Sequence, residues 1–171
     1  MDNLMVDIES LGTKLNSVIT QIGACYFSKE GEIGDKFLVN IDIQTCLDLG
    51  LEIQKRTLLW WLERVHLITW TKETLGLSKA LFKFREFCQK NKKAKVWCHA
   101  TFDIPLLENA YEKLGQRLPF SYKLVRDIRT LVDLSRTKRE KGKEDPKTHN
   151  ALDDCIYQVN YVVNCLKKVV K

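Results

Sequence analysis

Two carboxylates near the start of the chain, Asp7 and Glu9, stand in the run Met5-Val6-Asp7-Ile8-Glu9-Ser10-Leu11-Gly12-Thr13. The run is apolar around them and stops at a glycine, the pattern of a buried strand ending in a turn. Side chains alternate faces along a strand, so the two acids share a face, roughly 6–7 Å apart. Held that close they repel unless a cation lies between them. Hard divalent ions such as Mg²⁺ or Mn²⁺ take oxygen ligands of this kind. An acidic pair facing solvent on a half-exposed strand is the plainer account, and Asp-x-Glu alone does not decide between the two.

Further acids recur where a metal site would need them. Asp103 follows the short apolar run Val96-Trp97-Cys98 and its loop, at the opening of a helix; Asp153 and Asp154 fall in the first turn of the last helix, with His149 just before it. Taken singly, Asp103 and Asp153 suit the positive end of a helix dipole, and His149 suits a surface. If His149 is already helical, Asp153 shares its face better than Asp154 does.

The elements that must position these residues follow from periodicity. After the first strand, Ser17–Phe27 and Ile33–Ile43 read as two more, an antiparallel meander joined by a turn at Lys29-Glu30-Gly31-Glu32. Helical spacing covers Asp48–Val65, Thr71–Asn91 and Phe102–Leu114, the last stopping at Gly115 with Pro105 tolerated in its first turn. Val96–Cys98 reads as a fourth strand and Tyr122–Val125 as a fifth, running into Asp127 as the cap of a helix over Ile128–Leu134. Arg136–Lys147 is charged and apolar-free, read as a mobile loop, and the C-terminal helix spans Asn150–Lys168. Trp60 and Trp61 allow two readings: both pack into the core or a lid, the plainer account for at least one of them, or an aromatic lies beside a substrate groove and stacks a base.

At 171 residues the chain reads as one domain, 1–171, with no internal repeat. No apolar run approaches the roughly 20 residues that span a bilayer, and the N-terminus has no signal-like segment, so no membrane role is expected. Six cysteines are scattered without a Cys-x-x-Cys pair, which points to reduced thiols in a cytoplasmic protein and away from a zinc site. The net charge of +6 around an acidic candidate site suggests a polyanionic partner. Of its densest runs, Lys90–Lys95 reads as solvated surface, such runs being more often that than a binding patch, whereas the basic residues of Arg136–Lys147 are expected to add sequence-independent contacts to a phosphate backbone.

Asp7-Ile8-Glu9, then Phe102-Asp103, then His149-Asn150-Ala151-Leu152-Asp153-Asp154 resembles the three-motif signature of the DEDDh 3′-to-5′ exonucleases. The resemblance spans the chain in the correct order. It is greatest to the small stand-alone exoribonuclease-like members of bacteria and phages, which share Val-Asp-Ile-Glu and a Trp-Trp helix. It implies a ribonuclease H-like α/β fold, a mixed five-stranded sheet with an antiparallel meander then parallel strands, flanked by helices. It further implies two divalent cations, Mg²⁺ or Mn²⁺, held by Asp7, Glu9, Asp103 and Asp154, with His149 as general base. The family spacing selects Asp154 over Asp153. Ser10 and Leu11 are expected at the terminal nucleotide, and Phe102 against a base. Ser10 stands where Thr is usual and keeps the hydroxyl. His99 lies in a loop where Asn or Gly is common and is the residue on offer for base or sugar contacts. The expected substrate is the 3′ end of single-stranded RNA or DNA, RNA ahead of DNA, and several members act as homodimers. A DNA-processing or proofreading type is the near alternative. A non-catalytic nucleic-acid-binding module is the distant one, because no ligand of the set is missing.

Overall fold

In a computed structural model, residues 1–137 and 149–169 are described, and of the expected loop Arg136–Lys147 all but its first two residues lies outside them. The strands are β1 (Asn3–Ser10), β2 (Ile19–Phe27), β3 (Ile33–Ile41), β4 (Thr74–Leu75), β5 (Lys95–Cys98) and β6 (Val125–Asp127). The helices are α1 (Ile43–Asp48), α2 (Lys55–Leu62), α3 (Leu77–Cys88), α4 (Asp103–Lys113), α5 (Ile128–Ser135) and α6 (Ala151–Val169). One mixed sheet has the order β4-β3-β2-β1-β5-β6. Strands β1, β2 and β3 form an antiparallel meander, β4 pairs in parallel with β3, and β5 and β6 are added parallel to β1.

Strand β1 is buried along its whole length, and its two faces enter two different cores. Leu4, Val6 and Ile8 join Leu81, Phe84, Leu107 and Tyr111 on the side of α3 and α4. Met5 joins Cys155, Val159, Val162 and Ile128 on the side of α5 and α6. Alternation then puts Asp7 and Glu9 on the Met5 face, where the strand runs out beneath the start of α6. Gly23, opposite Asp7 on β2, is what lets that helix come so close. A Cβ there would land on the main chain of Ala151 and Leu152.

Three expectations are corrected. The sheet has six strands, because Thr74–Leu75, expected as helix, pairs in parallel with Asn40 and Ile41; two residues are too few to show an alternation. The helix expected over Asp48–Val65 covers only Lys55–Leu62, and a separate short helix, α1, ends at Asp48 where the expected one begins. The N–H groups of Leu49, Gly50 and Leu51 close back onto Cys46 and Leu47, and Gly50 takes φ +75°, ending α1. The main chain then runs extended against the loop after β1, with Glu52 N–H on Asn16 O at 2.8 Å and Gln54 N–H on Leu11 O at 2.8 Å. Finally, Tyr122–Leu124 is a 3₁₀ turn, and the last strand begins at Val125. Asp127 does cap α5, accepting from Thr130 N–H at 2.8 Å.

All six cysteines are free and buried. Among the described residues no helix is long and apolar enough to cross a membrane.

Candidate active site

The candidate residues gather at the C-terminal ends of β1 and β5. Asp7 and Glu9 come from β1 and Asp103 from the first turn of α4, where it is 1% exposed. Asp154 comes from the first turn of α6. Ligand atoms of Glu9, His149 and Asp154 all lie within 4.8 Å of one another, and His149 Nδ1 is 3.9 Å from Glu9 Oε1. Asp154 faces this cluster, whereas Asp153 is exposed.

Local chemistry fixes each arm. The loop after β5 folds back so that His99 N–H donates to Asp103 Oδ2 at 2.7 Å, and Ala100 N–H donates to Asp127 Oδ2 at 3.0 Å. Asp127 thus braces the loop that delivers Asp103 while capping α5. Asn150 caps α6, its Oδ1 accepting from Leu152 N–H at 3.1 Å and Asp153 N–H at 3.3 Å. His149 just before it takes φ +41°, so the chain turns sharply and is not yet helical. The imidazole sits edge-on to Trp60 and Trp61, with ring centroids 4.8 and 5.7 Å away. Trp61 is buried and anchored by its Nε1–H to Ser10 O at 3.0 Å.

Electrostatics mark the cluster as short of positive charge. Burial, opposed by a hydrogen bond from Gln158 and assisted by Asp154, pushes Asp7 up to about 7. Burial, then Asp7 and Asp154, pushes Glu9 up to about 9. Asp103 is held well above the ordinary carboxylate range by burial and then by Asp7. Asp7, Glu9 and Asp103, with Asp154 adding to the negative field at Asp7 and Glu9, form an oxygen-rich donor set for a hard divalent cation.

The substrate-binding expectations fare differently. Ser10 is buried, and its hydroxyl donates to Gly12 O at 2.6 Å, serving the turn. Leu11 is 1% exposed within the core, which leaves no side-chain surface for a nucleotide. Phe102 and His99 are half-buried beside Asp103. Trp60 is half-buried and lines a groove of about 920 Å³ together with Thr13, Gln54, Lys55, Arg56, Thr57, Leu59 and Glu63. Arg64 lies over the Trp60 ring, 4.5 Å from its centroid.

Sequence reasoning missed Gln158, whose Nε2 donates to Asp7 Oδ1 at 2.8 Å. The signal was there: Gln158 lies four residues after Asp154, on the same helix face.

Solved structures of exonuclease I share this fold. One, described as suggesting how processivity is achieved, superposes with a TM-score of 0.71 at 15% identity, covering 96% of this chain and 40% of that one. The E. coli enzyme in complex with an oligonucleotide gives 0.65 at 12% identity over 96% and 40%. The zinc ion bound form of the E. coli exonuclease I–ssDNA complex gives 0.69 at 14% identity over 96% and 40%. The chain therefore spans about two fifths of the length of these proteins. Comparison with curated proteins finds no match. The family model described as the 3′-5′ exoribonuclease Rv2179c-like domain matches residues 2–166, nearly the whole chain, and the protein belongs to that family.

Proposed function

We propose that the chain is a metal-dependent 3′-to-5′ exonuclease that releases nucleoside monophosphates from the 3′ end of single-stranded nucleic acid, RNA ahead of DNA. The observation that carries this reading is the convergence of Glu9, His149 and Asp154, from β1 and the start of α6, with the buried Asp7 and Asp103 close enough to act electrostatically on the same cluster. The donor set, carboxylate oxygens with one imidazole, fits Mg²⁺ or Mn²⁺. Asp7, Glu9, Asp103 and Asp154 would hold two such ions, whose contribution when bound is charge stabilisation at the entering and leaving oxygens of an in-line displacement.

The protein's own residues supply the rest. His149 accepts the proton of the attacking water, a task suited to an imidazole within reach of the carboxylate cluster. The Trp60–Trp61 corner holds the imidazole toward Glu9 while it does so. The strand upstream of the reacting phosphate lies in the groove beside α2, with Lys55 and Arg56 toward its backbone and Trp60 offering a stacking face. Phe102 packs against the terminal base. Six free, buried thiols suit a reducing cytoplasm. The family pattern adds a homodimer, which sedimentation at assay concentration reads directly.

Favouring RNA is the exoribonuclease description of the family; favouring DNA are the single-stranded DNA complexes among the similar structures. The test is hydrolysis of 5′-labelled single-stranded RNA and DNA, separately, with Mg²⁺, Mn²⁺ or EDTA. A 3′-shortening ladder lost in EDTA supports the nuclease, and faster shortening of RNA supports the preference. No ladder on either strand overturns the proposal.

A further inference from the structure

Three side chains lie side by side on the α6 face of the sheet: Glu9 on β1, Gln21 paired with it on β2, and Asn40 paired with Gln21 on β3. Gln21 is fully buried, and its amide is used at both ends. Its Oε1 accepts from Ala151 N–H at 2.7 Å, and its Nε2 donates to Asn40 Oδ1 at 2.7 Å. Asn40 Nδ2 in turn donates to Lys72 O at 2.7 Å. The direction of this chain is forced. A backbone N–H can only donate, so Gln21 must present its oxygen to Ala151, and a backbone carbonyl can only accept, so Asn40 must present its nitrogen to Lys72. Both amides are therefore locked in one orientation.

Ala151 N–H is one of the donors that a helix start leaves without an intrahelical partner. It lies two residues after His149 and three before Asp154. Gly23, the next same-face residue along β2, leaves the space that this approach requires. The buried amide thus pins the one backbone point from which both arms of the third motif extend, and pins it to the strand pairing with Glu9.

We propose that Gln21 is a positioning residue of the active site: through Ala151 N–H it sets the distance of His149 and Asp154 from Glu9, and Asn40 holds it in the accepting orientation. The inference rests on the nuclease reading above. Support of this kind, behind metal-binding or catalytic groups, is worth about 10–100-fold in affinity or activity.

The experiment compares wild type, Gln21→Met, Gln21→Glu and Asn40→Ala. It measures Mn²⁺ binding by calorimetry without substrate, and kcat and KM on single-stranded RNA and DNA with folded protein counted by circular dichroism. Gln21→Met, close in volume but with no acceptor, is expected to weaken Mn²⁺ binding and lower kcat, each by about 10-fold or more, with KM changed less than about twofold. Gln21→Glu keeps the acceptor for Ala151 and should restore most of both. If Gln21→Met does not fold, Asn40→Ala decides, with the same losses expected at smaller size. Wild-type Mn²⁺ affinity and kcat in folded Gln21→Met, or in Asn40→Ala where Gln21→Met is lost, overturn the positioning role, whatever happens to the melting temperature. A wild type that binds no Mn²⁺ and cuts neither strand overturns the site itself, and the relay falls with it.

Discussion

Gln158 Nε2 donates to Asp7 Oδ1 at 2.8 Å, tying the second turn of α6 to β1 inside the carboxylate cluster. The bond favours ionised Asp7 against the burial that disfavours it. It also occupies one carboxylate oxygen and leaves the other for a ligand. Replacing the amide by an apolar group, Gln158→Leu, should raise Asp7 further and move the acid limb of the pH–rate profile to higher pH. Mn²⁺ affinity at pH 7 should fall by about tenfold, in line with other groups that orient a ligand. Calorimetry at pH 7 and 9 checks this, and the loss should shrink at the higher pH.

The raised carboxylates also set how stability depends on pH. Asp7 at about 7 and Glu9 at about 9 lie above their ordinary values of 3.8 and 4.5, so between these limits the folded chain binds more protons than the unfolded one. Stability without metal should therefore fall as pH rises through this window, with the whole of this loss incurred above about 9. Mg²⁺ or Mn²⁺ should raise the melting temperature more at pH 8 than at pH 5. Asp7→Asn should flatten the metal-free profile and abolish hydrolysis. Scanning fluorimetry across pH 4–10 with EDTA reads all of it, and a melting temperature that climbs steadily with pH would count against the cluster.

His149 approaches both Glu9 and Asp154, so geometry alone admits it as base or ligand. As the base, His149→Ala should cut turnover by about 10²–10⁴-fold and leave Mn²⁺ affinity nearly unchanged. A large loss of affinity in calorimetry would reassign it to the metal.

The basic segments separate by position. Lys95 pairs with Asn3 at the opposite end of β1 from Glu9, six residues away, or about 20 Å along the strand. Lys92→Gln, Lys93→Gln and Lys95→Gln together should leave KM and its salt dependence unchanged. Lys55→Gln with Arg56→Gln, in the groove beside Trp60, should raise KM and flatten its dependence on salt. Equal salt slopes for both variants would remove the groove from the substrate path.

Gly23→Ala should destabilise the fold by about 1–3 kcal/mol, because the added methyl meets main chain that has nowhere to go. Whatever folds should also turn over slowly, since α6 can relieve the clash only by carrying Asp154 away from Glu9. Chemical denaturation and kcat per folded molecule report the two effects separately.

Much of this site is legible in the chain because its spacing is local. Alternation along a strand places Asp7 and Glu9 on one face, and the pattern of His149 and Asp154 around a helix start survives any tertiary arrangement. Order along the chain then carries the family resemblance, and with it the fold. The extended segment Leu51–Gln54 and the two-residue strand Thr74–Leu75 are not legible, because each is fixed by hydrogen bonds to distant main chain: Glu52 to Asn16, and Thr74–Leu75 to Asn40–Ile41. Ser10 and Leu11 look available in sequence, and only packing shows the hydroxyl turned into Gly12 O and the leucine sealed in the core. Tertiary structure alone decided which partner each buried amide meets. Gln21 reaches Ala151 across 130 residues and Gln158 reaches Asp7 across 151. A polar side chain in a buried strand or helix must find a partner; spacing along α6 puts Gln158 on the Asp154 face, and only the packing of α6 on β1 makes that partner Asp7.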